Sequence, residues 1–253
     1  MTQKILAKLM SFAGSNKLGL FKIAIASSFL VIVPQGQVKA ALLTINNSSF
    51  EGPTAPLQST PTFGYYTIND ITNWSLSPTP SIQGVLDPGL SEPLNPGNQF
   101  YGLPANLPLG AGNQIAWSNG GTISQTLSAT LQANTRYTLG AFVGRRFSAI
   151  FAGYTIRLLA GNTLLSSISN TDSGPTPAQG TFAPVSFTYT SGDIVTPGQQ
   201  LTIELFTPSV TAGQTNFDLI TLDAASTIPE PSAILGLLGF GLLGIASKLR
   251  QKQ

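Results

Sequence analysis

The chain is 253 residues long and 42% apolar, enough for one large all-β domain or two small domains, yet only 9% of it is charged, against roughly 25% in an average soluble protein. It contains no cysteine and no histidine, which excludes disulfides, thiolate and imidazole metal sites, cysteine nucleophiles and the Ser-His-Asp relay. The formal charge of +2 averages unlike segments: +5 over residues 1–40, −5 over 41–226 and +2 over 227–253, an asymmetry that marks separate jobs.

Residues 1–40 read as a secretory signal peptide with a signal helix. Lys17 and Lys22 flank a basic region, and Ile23 to Val33 is an eleven-residue apolar core without charge. Pro34 and Gly36 break that core, and Val38-Lys39-Ala40 places small residues at the −3 and −1 positions, predicting cleavage before Ala41. The core is too short to span a bilayer permanently, which takes about twenty residues.

Residues 41–226 predict a β-sandwich domain. The stretch 53–108 is rich in Pro, Ser, Thr, Asn and Gly, which predicts extended loops over one end, held by Phe63, Tyr65, Trp74 and Tyr101. Beyond it, apolar residues alternate at Tyr137, Leu139, Ala141 and Val143. Ile156, Leu158 and Ala160 alternate too, and Gly161-Asn162 offers a two-residue hairpin turn. Val185, Phe187 and Tyr189, then Leu201, Ile203 and Leu205, then Asn216 to Leu222 complete the series. Short strands with Gly/Pro-rich turns argue for an all-β antiparallel sandwich of jelly-roll type.

The run Asn113-Gln114-Ile115-Ala116-Trp117, then Gly121 to Leu127, then Leu131 to Leu139 resembles galactose-binding-like jelly rolls, similar to carbohydrate-binding modules. The opening Asn47-Ser48-Ser49-Phe50-Glu51 and the closing Asn216-Phe217-Asp218-Leu219-Ile220-Thr221-Leu222 fall in the expected order. The resemblance implies a structural calcium held by Glu51 and Asp218, with backbone carbonyls completing the oxygen shell. On the residues alone, Asp218 shares strand parity with Ile220 and Leu222, which places its carboxylate on a buried face. There it can equally accept backbone N–H bonds or cap a turn.

Tyr65, Tyr66 and Tyr101 sit among loop formers and are the candidate ligand-binding residues, able to stack on sugar rings. Trp74 and Trp117 are expected to fill the core. Arg145-Arg146 reads as a solvated loop. A domain at −5 lacks the basic patch that nucleic acid needs, so no nucleic-acid partner is expected. No spacing nominates a catalytic carboxylate pair.

At the C-terminus, Ile228-Pro229-Glu230-Pro231-Ser232 precedes a charge-free run to Ser247 and the basic Lys248, Arg250 and Lys252. As a helix, Pro231 to Ser247 would reach roughly 26 Å, slightly short of the 30 Å of a hydrocarbon core, which predicts a transmembrane helix over about 232–247 with the basic end cytoplasmic. This order resembles the PEP-CTERM sorting signal. The resemblance implies that Pro229, Glu230 and Pro231 form the sorting motif and that an exosortase processes the tail. Two prolines keep the motif out of helix and sheet, as an extended peptide that an enzyme can grip.

The readings combine into an exported cell-surface or extracellular-matrix protein with a single C-terminal transmembrane helix before processing. It is expected to be structural or adhesive rather than an enzyme, with polysaccharide and exosortase as partners and no cofactor beyond structural calcium. A dedicated carbohydrate-binding module and a secreted hydrolase are the alternatives.

Overall fold

The computed structural model describes residues 40–59, 64–78, 82–94, 99–100, 110 and 112–228. The signal segment, the PEP motif, the tail helix, Phe63 and Tyr101 lie outside the described residues. No helix among the described residues is long and apolar enough to cross a membrane.

The described elements are nearly all strands. In chain order they are β1 (Ala41–Leu42), β2 (Leu57–Gln58), β3 (Gly64–Tyr66), β4 (Ser75–Ser77), β5 (Gln83–Asp87), the one-turn helix α1 (Pro88–Ser91), β6 (Ile115–Ser118) and β7 (Gly121–Thr130). They continue with β8 (Thr135–Arg145), β9 (Ile150–Phe151), β10 (Thr155–Ala160), β11 (Thr163–Ser169), β12 (Thr181–Thr190), β13 (Gln200–Thr207) and β14 (Gly213–Ser226). A large sheet runs β12-β8-β14-β6-β5-β3-β2, with β1 and β9 also pairing β14, and a smaller sheet runs β11-β10-β13-β7-β4. Pairing between strands is antiparallel apart from the short β9–β14 contact. The result is an all-β jelly-roll sandwich.

Alternation explains the core. Tyr137, Leu139, Ala141 and Val143 of β8 face Leu201, Ile203 and Leu205 of β13 and Ile156, Leu158 and Ala160 of β10, all buried in one cluster. Each fully buried aliphatic side chain contributes about 1.5–3 kcal/mol. Gly161, at φ 55°, supplies the left-handed position of the β10–β11 hairpin. Trp74 joins this core, its ring 5.2 Å from that of Phe50.

The 53–108 stretch departs from the expected loops. It contributes β2, β3, β4, β5 and α1, and all of β5 is buried between β3 and β6. Two of its prolines sit where a short strand ends: Pro78 follows β4, and Pro88 follows β5 and opens α1, where no backbone donor is needed. Asp87 caps that helix, its Oδ1 accepting the Leu90 N–H at 2.8 Å.

Candidate functional site

The outer face of the large sheet, turned away from the small sheet, carries a second apolar cluster of Leu86, Phe100, Ile115 and Trp117, with Tyr66 and Phe182 packed against it. Register places the neighbours. Trp117 stands opposite Asn216 on one side and Gly84 on the other; Asn216 stands opposite Gly144, and Asp218 opposite Phe142. Directly opposed residues in an antiparallel pair share a face. Two of these positions are glycine because something lies on the bare backbone: a Cβ on Gly144 would strike the Phe182 ring, and one on Gly84 the Thr67 carbonyl. Phe100 stacks on Phe182 with centroids 4.5 Å apart. The Trp117 indole is pinned by its Nε1–H, which donates to that Thr67 carbonyl at 3.1 Å.

One end of this face opens into a cavity of about 440 Å³, within the range of small-molecule pockets. Tyr66, Leu86 and Trp117 form apolar wall, the Tyr66 and Trp117 rings meeting edge to face at 6.2 Å. Gln99, Asn119, Arg146, Ser148 and Gln214 supply the polar lining. Arg146 donates to Gln214 Oε1 at 3.3 Å and to Ser148 Oγ at 3.2 Å, and Gln214 Nε2 donates to Asn119 Oδ1 at 3.0 Å. Burial pulls the Arg146 pKa down and the charge of Glu92 pulls it back up. Arg146 is thus a wall of the cavity and not part of a solvated loop, because the loop after β8 folds back against β14.

Asp218 lies further along the same face and is fully buried. Its Oδ1 accepts the N–H of Leu219 at 2.7 Å, while Oδ2 has no partner among the described residues. Burial pushes its carboxyl up to about 9; the Leu219 N–H opposes the shift and the charge of Glu51 adds to it. Asp218 therefore carries a proton at neutral pH. The parity argument reached the burial and mistook the face. A β-bulge between Asp218 and Thr221, with Leu219 at φ 46°, turns the strand over, so that Phe217, Ile220 and Leu222 face the main core and Asp218 faces away from it. The 46–53 turn packs on this bulge through the Ser48 carbonyl, which accepts the Ile220 N–H at 2.9 Å.

Glu51, from that turn, accepts the N–H groups of Asn113 and Gln114 through Oε1 at 2.9 and 2.8 Å. No group of three or more metal-ligating side chains occurs among the described residues. Of the tyrosines singled out by sequence, Tyr66 lines the cavity. Tyr65 is on the opposite side of β3 by alternation, half-buried, its N–H donating to Ser91 Oγ at 2.8 Å. Trp117 is buried as expected, but in the cavity wall rather than the main core. Gln99, Gln214 and Phe142 had no sequence signal: Gln99 lies in a bend of the Pro-rich stretch, and an amide or a phenylalanine on an alternating strand, as at Gln214 and Phe142, looks the same on either face.

Comparison with known proteins gives two family matches. Residues 41–223 match the HpiC1 cyclase family, and residues 227–251 match the PEP-CTERM protein-sorting motif. The Stig cyclase Fisc from Fischerella sp. TAU, solved in complex with (3Z)-3-(1-methyl-2-pyrrolidinylidene)-3H-indole, superposes at TM-score 0.58 and 26% identity, covering 76% of this chain and 99% of that one. A cyclase from Fischerella sp. in apo form superposes at 0.56 and 28% identity, covering 73% and 96%. A cyclase from Fischerella sp. TAU in complex with 4-(1H-indol-3-yl)butan-2-one gives 0.57 and 26%, covering 75% and 98%. Carbohydrate-binding modules are also structural neighbours, a CBM4 structure among them at TM-score 0.39 and 14% identity. No curated protein matches the chain.

The sorting motif marks an exported protein sorted to the cell envelope, with exosortase as its processing enzyme. The expectation of a protein that is not an enzyme is overturned by the cyclase family match across the sandwich and by the cyclase structures. The missing His and Cys misled there: they exclude particular nucleophiles and relays, and leave a neutral carboxylic acid available as a proton donor.

Proposed function

The chain belongs to the HpiC1 cyclase family, and on that premise we propose that it is an exported cyclase in which Asp218 donates the proton that starts ring closure. The observation that carries this reading is a buried carboxyl held neutral, its pKa raised to about 9, on the same face as an aromatic-lined cavity. An acid that keeps its proton at neutral pH yet sits within about two units of it is suited to general-acid work.

The step balances without a cofactor. Asp218 transfers its proton to one carbon of an unsaturated substrate; the cation so formed is attacked by a second π bond of the same molecule, closing a ring. The carboxylate then takes back a proton from the ring-closed cation, so substrate and product are isomers. Phe142 stands opposite Asp218, which puts its ring on this side of the sheet, and aromatic faces stabilise cations by about 0.5–2 kcal/mol. The cavity walls suit a flat apolar ring, and the indole compounds held by two of the structural neighbours support that substrate class. Tyr66 then acts as a substrate wall rather than a sugar platform.

Calcium is the second reading of the same carboxyl. Asp218 Oδ2 has no partner among the described residues and the charge of Glu51 reaches Asp218, and either a proton or a divalent cation relieves such a pair. The two occupants are mutually exclusive, since a calcium-bound Asp218 has no proton to give.

The test is turnover of 3-alkenylindoles by the purified chain in D₂O, with chelator and with calcium. We expect an isomeric product carrying one deuterium at carbon, in chelator, slowed about 100-fold or more in Asp218→Asn. Undiminished turnover by Asp218→Asn, or no turnover of any of these compounds, overturns the reading. A calcium-raised melting temperature together with calcium-suppressed turnover would assign the carboxyl to the metal.

A further inference from the structure

The polar wall of the cavity is a row of three side chains, each from a different strand or from the residue that follows it. Trp117, Asn216 and Gly144 stand opposite one another on the outer face. Two residues further toward the strand ends, the same register leads to Asn119, Gln214 and Arg146, and all three line the cavity. Arg146 Nη1–H donates to Gln214 Oε1 at 3.3 Å, and Gln214 Nε2–H donates to Asn119 Oδ1 at 3.0 Å.

The direction of this relay is forced. A guanidinium can only donate, so it turns the Gln214 amide oxygen toward itself, and the Gln214 amide nitrogen in turn takes the Asn119 oxygen. Both amide oxygens are thereby engaged, and the hydrogen-bonding groups that remain on the amides are N–H donors. Asn119 is half-buried, and its Nδ2 donates to no described residue. On the other side of Arg146, Ser148 Oγ accepts from Nη2 at 3.2 Å. No acidic side chain is among the described residues that line the cavity. Glu92, the acid whose charge reaches Arg146, accepts the Gln99 N–H through Oε2 at 3.2 Å. A positive charge flanked by donors and partly removed from water is stabilised by an anion that accepts from it.

We propose that Asn119, Gln214 and Arg146 form a carboxylate-binding subsite, and that the cavity takes a ligand with its carboxylate on this row and an apolar body against Tyr66, Leu86 and Trp117. Binding depends on the cavity alone; only the step from ligand to substrate, an acid-bearing molecule that the enzyme cyclises, rests on the cyclase reading. Asp218 lies four residues beyond Gln214 on the same strand, so holding the carboxylate and donating the proton are separable.

The experiment is calorimetric titration of the full chain with 3-phenylpropionate and with 3-phenylpropanamide, which has the same shape and no charge. The wild type should bind the carboxylate about tenfold or more tightly, as charge-assisted hydrogen bonds replace neutral ones. Residues 41–226 carry a charge of −5, so the general field of the domain opposes this preference and a local site must supply it. Arg146→Met should bring the ratio to about one or below. Arg136→Met, which removes the same charge from an exposed position at the far end of β8, should leave it unchanged. Asn119→Asp keeps the oxygen that Gln214 bonds and adds a negative charge to the row, and should also abolish the preference. Equal binding of the two compounds by wild type, no binding of either, a preference that survives in Arg146→Met, or one that Arg136→Met removes overturns the proposal. If Arg146→Met does not fold, Asn119→Asp decides, and a retained tenfold preference there overturns it. Asp218→Asn should leave the ratio unchanged: a retained ratio without turnover defeats the proton-donor reading and not this one, and turnover without the ratio defeats this one alone.

Discussion

Asp218 shows how one residue's chemistry depends on a single backbone irregularity. With regular alternation it would point into the inter-sheet core beside Ile220 and Leu222, among aliphatic side chains. The bulge at Leu219 sends it to the outer face instead, beside Phe142 and under the 46–53 turn. There burial raises its pKa from the usual carboxylate range to about 9. The folded state therefore holds a proton that the unfolded chain has released, and stability falls as pH rises between the unfolded value and about 9. The slope for one proton is about 1.4 kcal/mol per pH unit. Asp218→Asn mimics the neutral acid and removes this titration. Denaturant melts at pH 5 and pH 8 should show the variant gaining stability over wild type with rising pH; a constant difference would show that Asp218 is ionised throughout.

At the scale of elements, β14 is the strand on which the site is built. It pairs with β8 on one side and β6 on the other, and it sets Gln214, Asn216 and Asp218 in a row on the outer face. β5 and β6 complete the floor, and their approach to the 67–70 segment requires Gly84: Thr67 accepts from Trp117 Nε1 through its carbonyl and from the Val85 N–H through Oγ1. Gly84→Ala should cost about 1–3 kcal/mol by overpacking, read as a lowered melting temperature, and should weaken cavity binding because the Trp117 anchor moves. An unchanged melting temperature would mean that the 67–70 segment yields freely. Alternation made β8, β10, β12 and β13 legible in the sequence, since one face of each is buried and the other is not. β5 was illegible, because a strand buried on both faces has no alternation, and QGVLD flanked by prolines resembles a loop.

Across the whole molecule, the charge divides by segment, and the folded domain brings its two ends together. Ala41 pairs with Ala224, and Thr227 is tied to the Asn134 carbonyl by its N–H at 2.7 Å and its Oγ1–H at 2.8 Å. The Pro-Glu-Pro triplet therefore begins two residues after Thr227, with Ile228 between. If both predicted processing events occur, the working domain is acidic and contains no lysine. Mass spectrometry of the native protein should find a start at Ala41 and an end near Pro229; intact ends would refute the processing.

The sequence by itself determined the class of the domain, its hairpin turn, the motif that sorts it and the absence of His and Cys chemistry. These are local properties: alternation, a Gly-Asn pair, a Pro-Glu-Pro triplet, a composition. The tertiary structure alone decided which face carries the site. Gln99, Trp117, Arg146 and Gln214 are distant in the chain and meet only once strand pairing and the loops it carries bring them together, and the face of Asp218 turns on one bulge that no periodicity records. A pKa near 9 is likewise no property of an aspartate in a sequence; it comes from the water that packing removes.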